Sequence, residues 1–289
     1  MTLSAYWWDP RRSARSLTGE LLQHASSWLS IAARGGQLLR NFGDEVGPLI
    51  LEASAGRRVT WSDVASADVV SVGSVLQRYL RARGRGVVLG SGLRDGEALA
   101  VDDEVAARIA FVRGRLTARA LGLPASRAAG DPGLLVRSLL PTRRRLRSGV
   151  LVLPHFMEYG SRSTRRALNF FVSAGHTVTH PARPPLEVAE SVARADLLLT
   201  SSLHGMVFAH ALGTPVQLVT FGESPVQPPF KYRDYLSVFG VDAQASSVHQ
   251  VAREGTDDIR ARAELDAARV DVAIDDVVDD LTRRMGAIW

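Results

Sequence analysis

The 289-residue chain contains no cysteine, which excludes a disulfide framework, a thiolate nucleophile and a thiolate metal site. No apolar run approaches the ~20 residues of a membrane span. The first ten residues lack the charged stretch and apolar core of a secretory leader, so a soluble, cytoplasmic protein is expected. Lysine is almost missing: of 35 basic residues, only Lys231 is not arginine, and the plain reading is arginine used wherever a solvated positive charge will serve. No aromatic-interleaved basic stripe is present and the one dense run is Arg143–Arg147, so no nucleic-acid partner is expected. Metal-ligand spacing is also absent. His204 and His210 are six residues apart and point to different helix faces, and the Asp275, Asp276, Asp279, Asp280 series reads as a solvated helix surface. Gly90-x-Gly92 lacks the third glycine of a dinucleotide fingerprint, and no phosphate loop of the G-x-x-x-x-G-K type occurs.

What is present is a 46% hydrophobic, 22% charged composition that excludes disorder. Strand-length apolar runs alternate with amphipathic stretches, the pattern of parallel α/β folds. Leu3–Trp8, Val69–Val72, Val87–Leu89 and Ile109–Val112 read as strands of a first half. Val150–Leu153, His176–Thr179, Asp196–Thr200 and Val216–Thr220 read as strands of a second, with closing helices from Arg253 onward. Two Rossmann-like lobes follow, residues 1–142 and 149–289, divided near the basic segment Pro141–Ser148. Residues 1–150 carry 22 basic and 13 acidic side chains, and residues 151–289 carry 13 and 17. That asymmetry fits an anionic ligand between unlike lobes, or ordinary charge scatter. Ligands of such sheets bind just beyond the carboxyl ends of the strands.

The richest stretch is Asp196–Pro215. Ser201-Ser202 can cap a helix, which puts His204 in the first turn at a strand's carboxyl edge. There the helix dipole and free amides favour an anion, and Gly205 would permit close approach. A capping or core histidine is the structural alternative for His204; His210 reads as a core residue. The stretch resembles the S-x-L-H-G/A-x-x-x-A-x-x-L-G-x-P signature of the polysaccharide pyruvyl transferase family. The resemblance continues in order through Asn41-Phe-Gly-Asp-Glu-Val-Gly-Pro48, Val112-Arg-Gly-Arg-Leu-Thr117 with Gly130-Asp-Pro-Gly133, Leu153-Pro-His155 and Lys231-Tyr-Arg-Asp-Tyr235, spanning about residues 41 to 240. Ser202 departs from it, since the family often has arginine two residues before the motif histidine. So does the long interval between Tyr6-Trp7-Trp8 and Asn41.

The resemblance implies a fold similar to the GT-B glycosyltransferase arrangement. It also implies transfer of a pyruvyl group from phosphoenolpyruvate to a sugar hydroxyl pair, on a cell-surface glycan or a lipid-linked precursor, with no cofactor beyond that donor. Such chemistry needs cations for a phosphate and a carboxylate, an acid for the enol methylene and a base for a hydroxyl. On that logic His204 holds the phosphate and acts as acid, and Asp44 is the base or the cap of the following helix. Arg113 offers a planar fork to an anion or is a surface arginine. His155 is a second donor contact or a histidine satisfied by backbone. Asn41 and Gly43 meet the acceptor, Ser202 and Gly205 line the site, and Lys231 and Arg233 bring charge over it on a lid-like segment. A lipid-linked acceptor would add peripheral membrane contact, which Arg143–Arg147 could meet, although a solvated linker is the plainer reading. Two other functions stay open: a nucleotide-sugar glycosyltransferase, with Glu223 gripping ribose, and a non-catalytic glycan- or anion-binding relative.

Overall fold

A computed structural model describes residues 2–141, 146–222 and 228–289. Among these residues ten strands form two five-stranded sheets in which every pairing is parallel. The first contains β1 (Leu3–Tyr6), β2 (Val59–Trp61), β3 (Val69–Val70), β4 (Val87–Leu89) and β5 (Ile109–Phe111), ordered β2-β1-β3-β4-β5. The second contains β6 (Val150–Leu153), β7 (Thr177–Val178), β8 (Leu197–Thr200), β9 (Val216–Thr220) and β10 (Ala245–Ser247), ordered β10-β9-β8-β6-β7. The two-lobed parallel α/β architecture expected from the alternating runs is therefore present. The sequence reading omits the edge strands β2 and β10.

Near-continuous apolar runs such as Leu197-Leu198-Leu199 form the central strands because helices cover both faces of a parallel sheet. β8 is fully buried along its length and sits in register with β6, Val150 opposite Leu197 and Leu153 opposite Thr200. The helix Phe42–Ala55 starts at the Asn41 cap and ends on Gly56, whose φ of 60° is a left-handed stop. It packs its apolar face against the helix Leu203–Ala211, where Phe42 meets Phe208 edge-on at a centroid distance of 5.2 Å. Both rings are fully buried, which stabilises this junction between the halves by about 2 kcal/mol for each ring.

Two helices cross from one half of the chain to the other. Ala14–Ala32 leaves the first sheet and places Trp28 and Ile31 in a core with Val152, Phe156, Tyr159, Phe171 and Leu199. Trp28 stacks on Phe156 at 4.9 Å. In return, the 31-residue terminal helix Thr256–Gly286 packs on Phe42–Ala55 and on the turn Pro132–Leu135 of the first half.

Candidate functional site

In each sheet the strand order reverses once, between β1 and β3 in the first and between β6 and β8 in the second. A parallel α/β sheet opens a crevice at the carboxyl edge of such a reversal, because successive helices leave to opposite faces. The segments following these four strands supply Trp8, Ser74, His155 and His204, and all four line one cavity of about 210 Å³. Asn41, Asp44, Arg78, Arg94, Ser202 and Lys231 add to its polar lining, and Glu20, Gln23 and His24 of the helix Ala14–Ala32 complete it.

His204 occupies the first turn of Leu203–Ala211, whose N-cap is Ser202; the Ser202 hydroxyl accepts the Gly205 amide at 3.3 Å. Its Nε2 lies 4.0 Å from Oδ2 of Asp131, beyond hydrogen-bond distance, and neither buried atom has a hydrogen-bond partner. Oδ1 of Asp131 accepts the Gly133 amide at 2.8 Å, so the carboxylate is aimed by the turn it caps. Burial, helped by the charges of Lys231 and Arg113, lowers the His204 pKa to about 3. The imidazole is therefore neutral at pH 7. Burial raises Asp131 to about 6, leaving it mostly ionised at neutral pH. The other side of the ring faces Gly43: a Cβ there would lie 2.0 Å from Nδ1. Glycine is required at that position by the imidazole.

Asn41 is the N-cap of Phe42–Ala55, so Asp44 is not; it stands in the first turn, with Oδ2 accepting from Nδ2 of Asn41 at 2.5 Å. Burial raises its pKa to about 7, opposed by that hydrogen bond and by Lys231 and Arg78. Its Oδ1 and the His204 Cε1 both approach Gly73, at 3.1 and 4.0 Å from where a side chain would begin. Lys231 enters from the first turn of Phe230–Leu236, and burial, with Arg113 and Arg94, lowers it to about 7 against the pull of Asp44 and Glu158. Two groups of opposite charge type thus titrate near neutrality on facing walls of one cavity, an arrangement suited to proton transfer.

His155 caps the short turn Phe156–Glu158, its Nδ1 accepting the Met157 amide at 3.3 Å, and burial holds its pKa well below 6.5. It also borders a second cavity of about 320 Å³, with Glu158, Ser201, Leu218, Tyr232 and Arg233. Glu158 is buried, accepts from the Ser201 hydroxyl and is raised to about 7 by burial.

Asn41, Asp44, His155, Ser202, His204 and Lys231 therefore meet in one cleft, and three expected residues have other surroundings. Arg113 is fully buried behind the cleft with its fork on Asp234, Nε at 3.0 Å and Nη2 at 2.9 Å, while Nη2 also donates to the Leu93 carbonyl. Because those donors are spent inside the protein, it does not present an open fork. Gly205 faces the strand end, where a Cβ would lie 2.6 Å from Oγ1 of Thr200, so its close approach is to β8 and not to a ligand. Arg233 is exposed and lines the second cavity. Arg78 and Arg94 supply the cleft cations that Ser202 does not; both stand outside the resemblance motifs, which is why the sequence reading overlooks them. Asp131 and Glu158 are likewise missed, although the Gly130-Asp131-Pro132-Gly133 segment carried a signal for the first. Arg143–Arg145 and Glu223 lie outside the described residues. Among the described residues no group of three or more His, Asp or Glu has metal-binding geometry, and no helix is long and apolar enough to cross a membrane.

Residues 4–220 match the family described as polysaccharide pyruvyl transferase. An uncharacterised protein of Acanthamoeba polyphaga mimivirus is 28% identical over 116 residues, 39% of this chain and 40% of the viral protein. This chain thus spans less than half the length of the curated relative it matches. Among solved structures, the wall teichoic acid polymerase TagF is similar with a TM-score of 0.40 at 10% identity, covering 94% of this chain and 97% of that one. The glycosyltransferase SnogD from Streptomyces nogalater has a TM-score of 0.36 at 13% identity, covering 99% and 98%.

Proposed function

Since the chain belongs to the polysaccharide pyruvyl transferase family, we propose that it transfers the pyruvyl group of phosphoenolpyruvate to two hydroxyls of a sugar, releasing inorganic phosphate and leaving a cyclic ketal. The observation that carries this reading is the cleft itself. Lys231, Arg78 and Arg94 gather positive charge around a buried carboxyl and a buried imidazole, which is what a small ligand bearing a phosphate and a carboxylate requires.

The steps distribute over these groups. A proton adds to the donor's methylene carbon while a sugar hydroxyl adds to the adjacent carbon and loses its own proton. The carbon–oxygen bond to phosphate then breaks, and the second hydroxyl closes the ring, its proton passing to the departing phosphate. Asp44, half protonated near pH 7, has a proton to give and neutral His204 has not; His204 takes the hydroxyl proton once the negative charge of the bound donor raises its basicity. That allocation exchanges the roles expected from the family resemblance. Asp131, whose Oδ2 lies 4.0 Å from Nε2, stabilises the imidazolium electrostatically as it forms. Lys231, Arg78 and Arg94 hold the departing phosphate.

The reading is tested by incubating the protein with phosphoenolpyruvate and a panel of saccharides, including lipid-linked ones, and measuring phosphate release and product mass. Acceptor-dependent release with a ketal product supports it. Turnover of a nucleotide-sugar instead, with none of phosphoenolpyruvate, would replace it with the glycosyltransferase reading.

A further inference from the structure

The short helix Phe230–Leu236 belongs to the second half of the chain, yet its firmest polar anchor lies in the first. Both the Asp234 carboxylate and the Arg113 guanidinium are fully buried. Beyond its two contacts with Arg113, Asp234 accepts the Thr117 amide and the Thr117 hydroxyl, each at 2.7 Å. Arg113 in turn bonds Ser74 through Nη1 at 2.7 Å and the Leu93 carbonyl through Nη2 at 2.7 Å. The helix Arg115–Ala120 has no capping side chain of its own, because its N-cap is Gly114. Its free amides are taken instead by the other half: Thr117 by Asp234, and Arg115 by the Ser237 hydroxyl at 2.8 Å. Gly114 is obligatory for this, since a Cβ there would lie 1.9 Å from the Asp234 carbonyl oxygen.

The opposite face of the same helix is tied to the second half. Tyr232 donates to the Ser201 carbonyl at 2.6 Å, and Tyr235 shares a 2.9 Å hydrogen bond with Nδ1 of His210. Lys231 lies between these two sets of ties. We propose that Arg113 and Asp234, 121 residues apart, form a latch that suspends the Lys231 helix between the two halves and sets the lysine against the cleft. Both are positioning residues and neither touches the donor. The R-G-x-x-T and K-x-x-D segments are then the two sides of one joint, with the arginine, glycine and threonine of the first all meeting the aspartate of the second. The role in turnover rests on the donor-binding reading of Lys231; the joint itself does not.

Lys231 is the only lysine in the chain, so its amine can be followed without reference to catalysis. An amine-directed acylating reagent is applied to the wild type, Asp234→Asn and Arg113→Gln across pH 5–10, with peptide mapping to separate Lys231 from the N-terminal amine. The charged groups acting on Lys231 are Arg113, Arg94, Asp44 and Glu158. Asp234→Asn leaves the Arg113 charge uncompensated and moves the labelling midpoint to lower pH; Arg113→Gln removes that charge and moves it to higher pH. Both variants lower kcat/KM for phosphoenolpyruvate by about tenfold or more, as displaced catalytic geometry does. Ser237→Ala, which removes one cap and no charge, shows a smaller loss and no midpoint shift. Cooperative thermal unfolding of each variant identifies the folded ones. Unchanged labelling midpoint and rate in folded Asp234→Asn overturn the latch. Opposite midpoint shifts in the two variants, with a wild type that turns over no phosphoenolpyruvate, keep the latch and remove the proposed activity.

Discussion

Gly43→Ala is a substitution whose sign reverses the usual expectation. Gly43 is the second residue of a helix and has no positive φ. Alanine at such a site ordinarily stabilises by about 0.5–1 kcal/mol, by reducing the freedom of the unfolded chain. Here the new methyl would lie 2.0 Å from Nδ1, 2.5 Å from Cγ and 2.8 Å from Cβ of His204, and contacts below 3.0 Å are essentially never made by real Cβ atoms. The imidazole cannot swing freely, because its far edge faces buried Asp131. Overpacking of this kind costs about 1–3 kcal/mol, which exceeds the helical gain and leaves a net loss near 1 kcal/mol. In a chain of this size that lowers Tm by about 2–4 °C. A ring displaced by roughly 1 Å reduces turnover by about 100-fold. Differential scanning calorimetry and phosphate release measure the two quantities on one preparation. A Gly43→Ala protein with raised Tm and full activity would refute both the packing and the role given to His204.

Two further substitutions probe the buried carboxylates. The Asp44 carboxyl stays protonated in the fold up to about pH 7, whereas in the unfolded chain it ionises near pH 4. It therefore makes the fold progressively less stable as pH rises between those values, and its contribution is constant below and above them. Asp44→Asn, neutral throughout, is expected to stabilise at pH 8 by a few kcal/mol, at about 1.4 kcal/mol for each unit by which burial raises the carboxyl, and not at all at pH 4. Equal urea midpoints for both proteins at pH 8 contradict this; activity falls in either case. Asp131→Asn preserves shape but withdraws the acceptor facing Nε2 of His204, so kcat is expected to fall by about 100-fold or more while the KM for phosphoenolpyruvate changes little. A change confined to KM would mean that Asp131 serves the donor and not the histidine.

The central strands were legible because burial on both faces leaves an unbroken apolar run, as in Val150–Leu153 and Leu197–Thr200. β2 and β10 were not. Val-Thr-Trp and Ala-Ser-Ser carry almost no pattern, and an edge strand is held by backbone pairing to a single neighbour, here β1 and β9. In the helix Ala14–Ala32 the packing of Trp28 among residues of the opposite half is a tertiary fact with no local signal. In the site, residues just beyond strand ends were found because the α/β rule places them there. Arg113 satisfied the same rule and was misjudged, because its partner Asp234 is remote in sequence and only the fold shows that its donors are already used. Arg78 and Arg94 were hidden by abundance, two among 34 arginines. Glu158 is a lone acid in an aromatic turn, and its burial decides its character where its sequence context does not.

The two crossing helices give the molecule a woven connectivity. A chain cut in the segment between β5 and β6 would yield an N-terminal fragment carrying Trp28 and Ile31 with no core to receive them. The C-terminal fragment would carry Val270, Ile274 and Val278 with the partners of that face on the other piece. Neither piece is a self-sufficient module, yet each holds the missing plug of the other. The natural behaviour of such halves is complementation: insoluble or molten when expressed apart, and reassembling on mixing into one cooperative body. The cleft, lined from both pieces, would exist only in the reassembled pair.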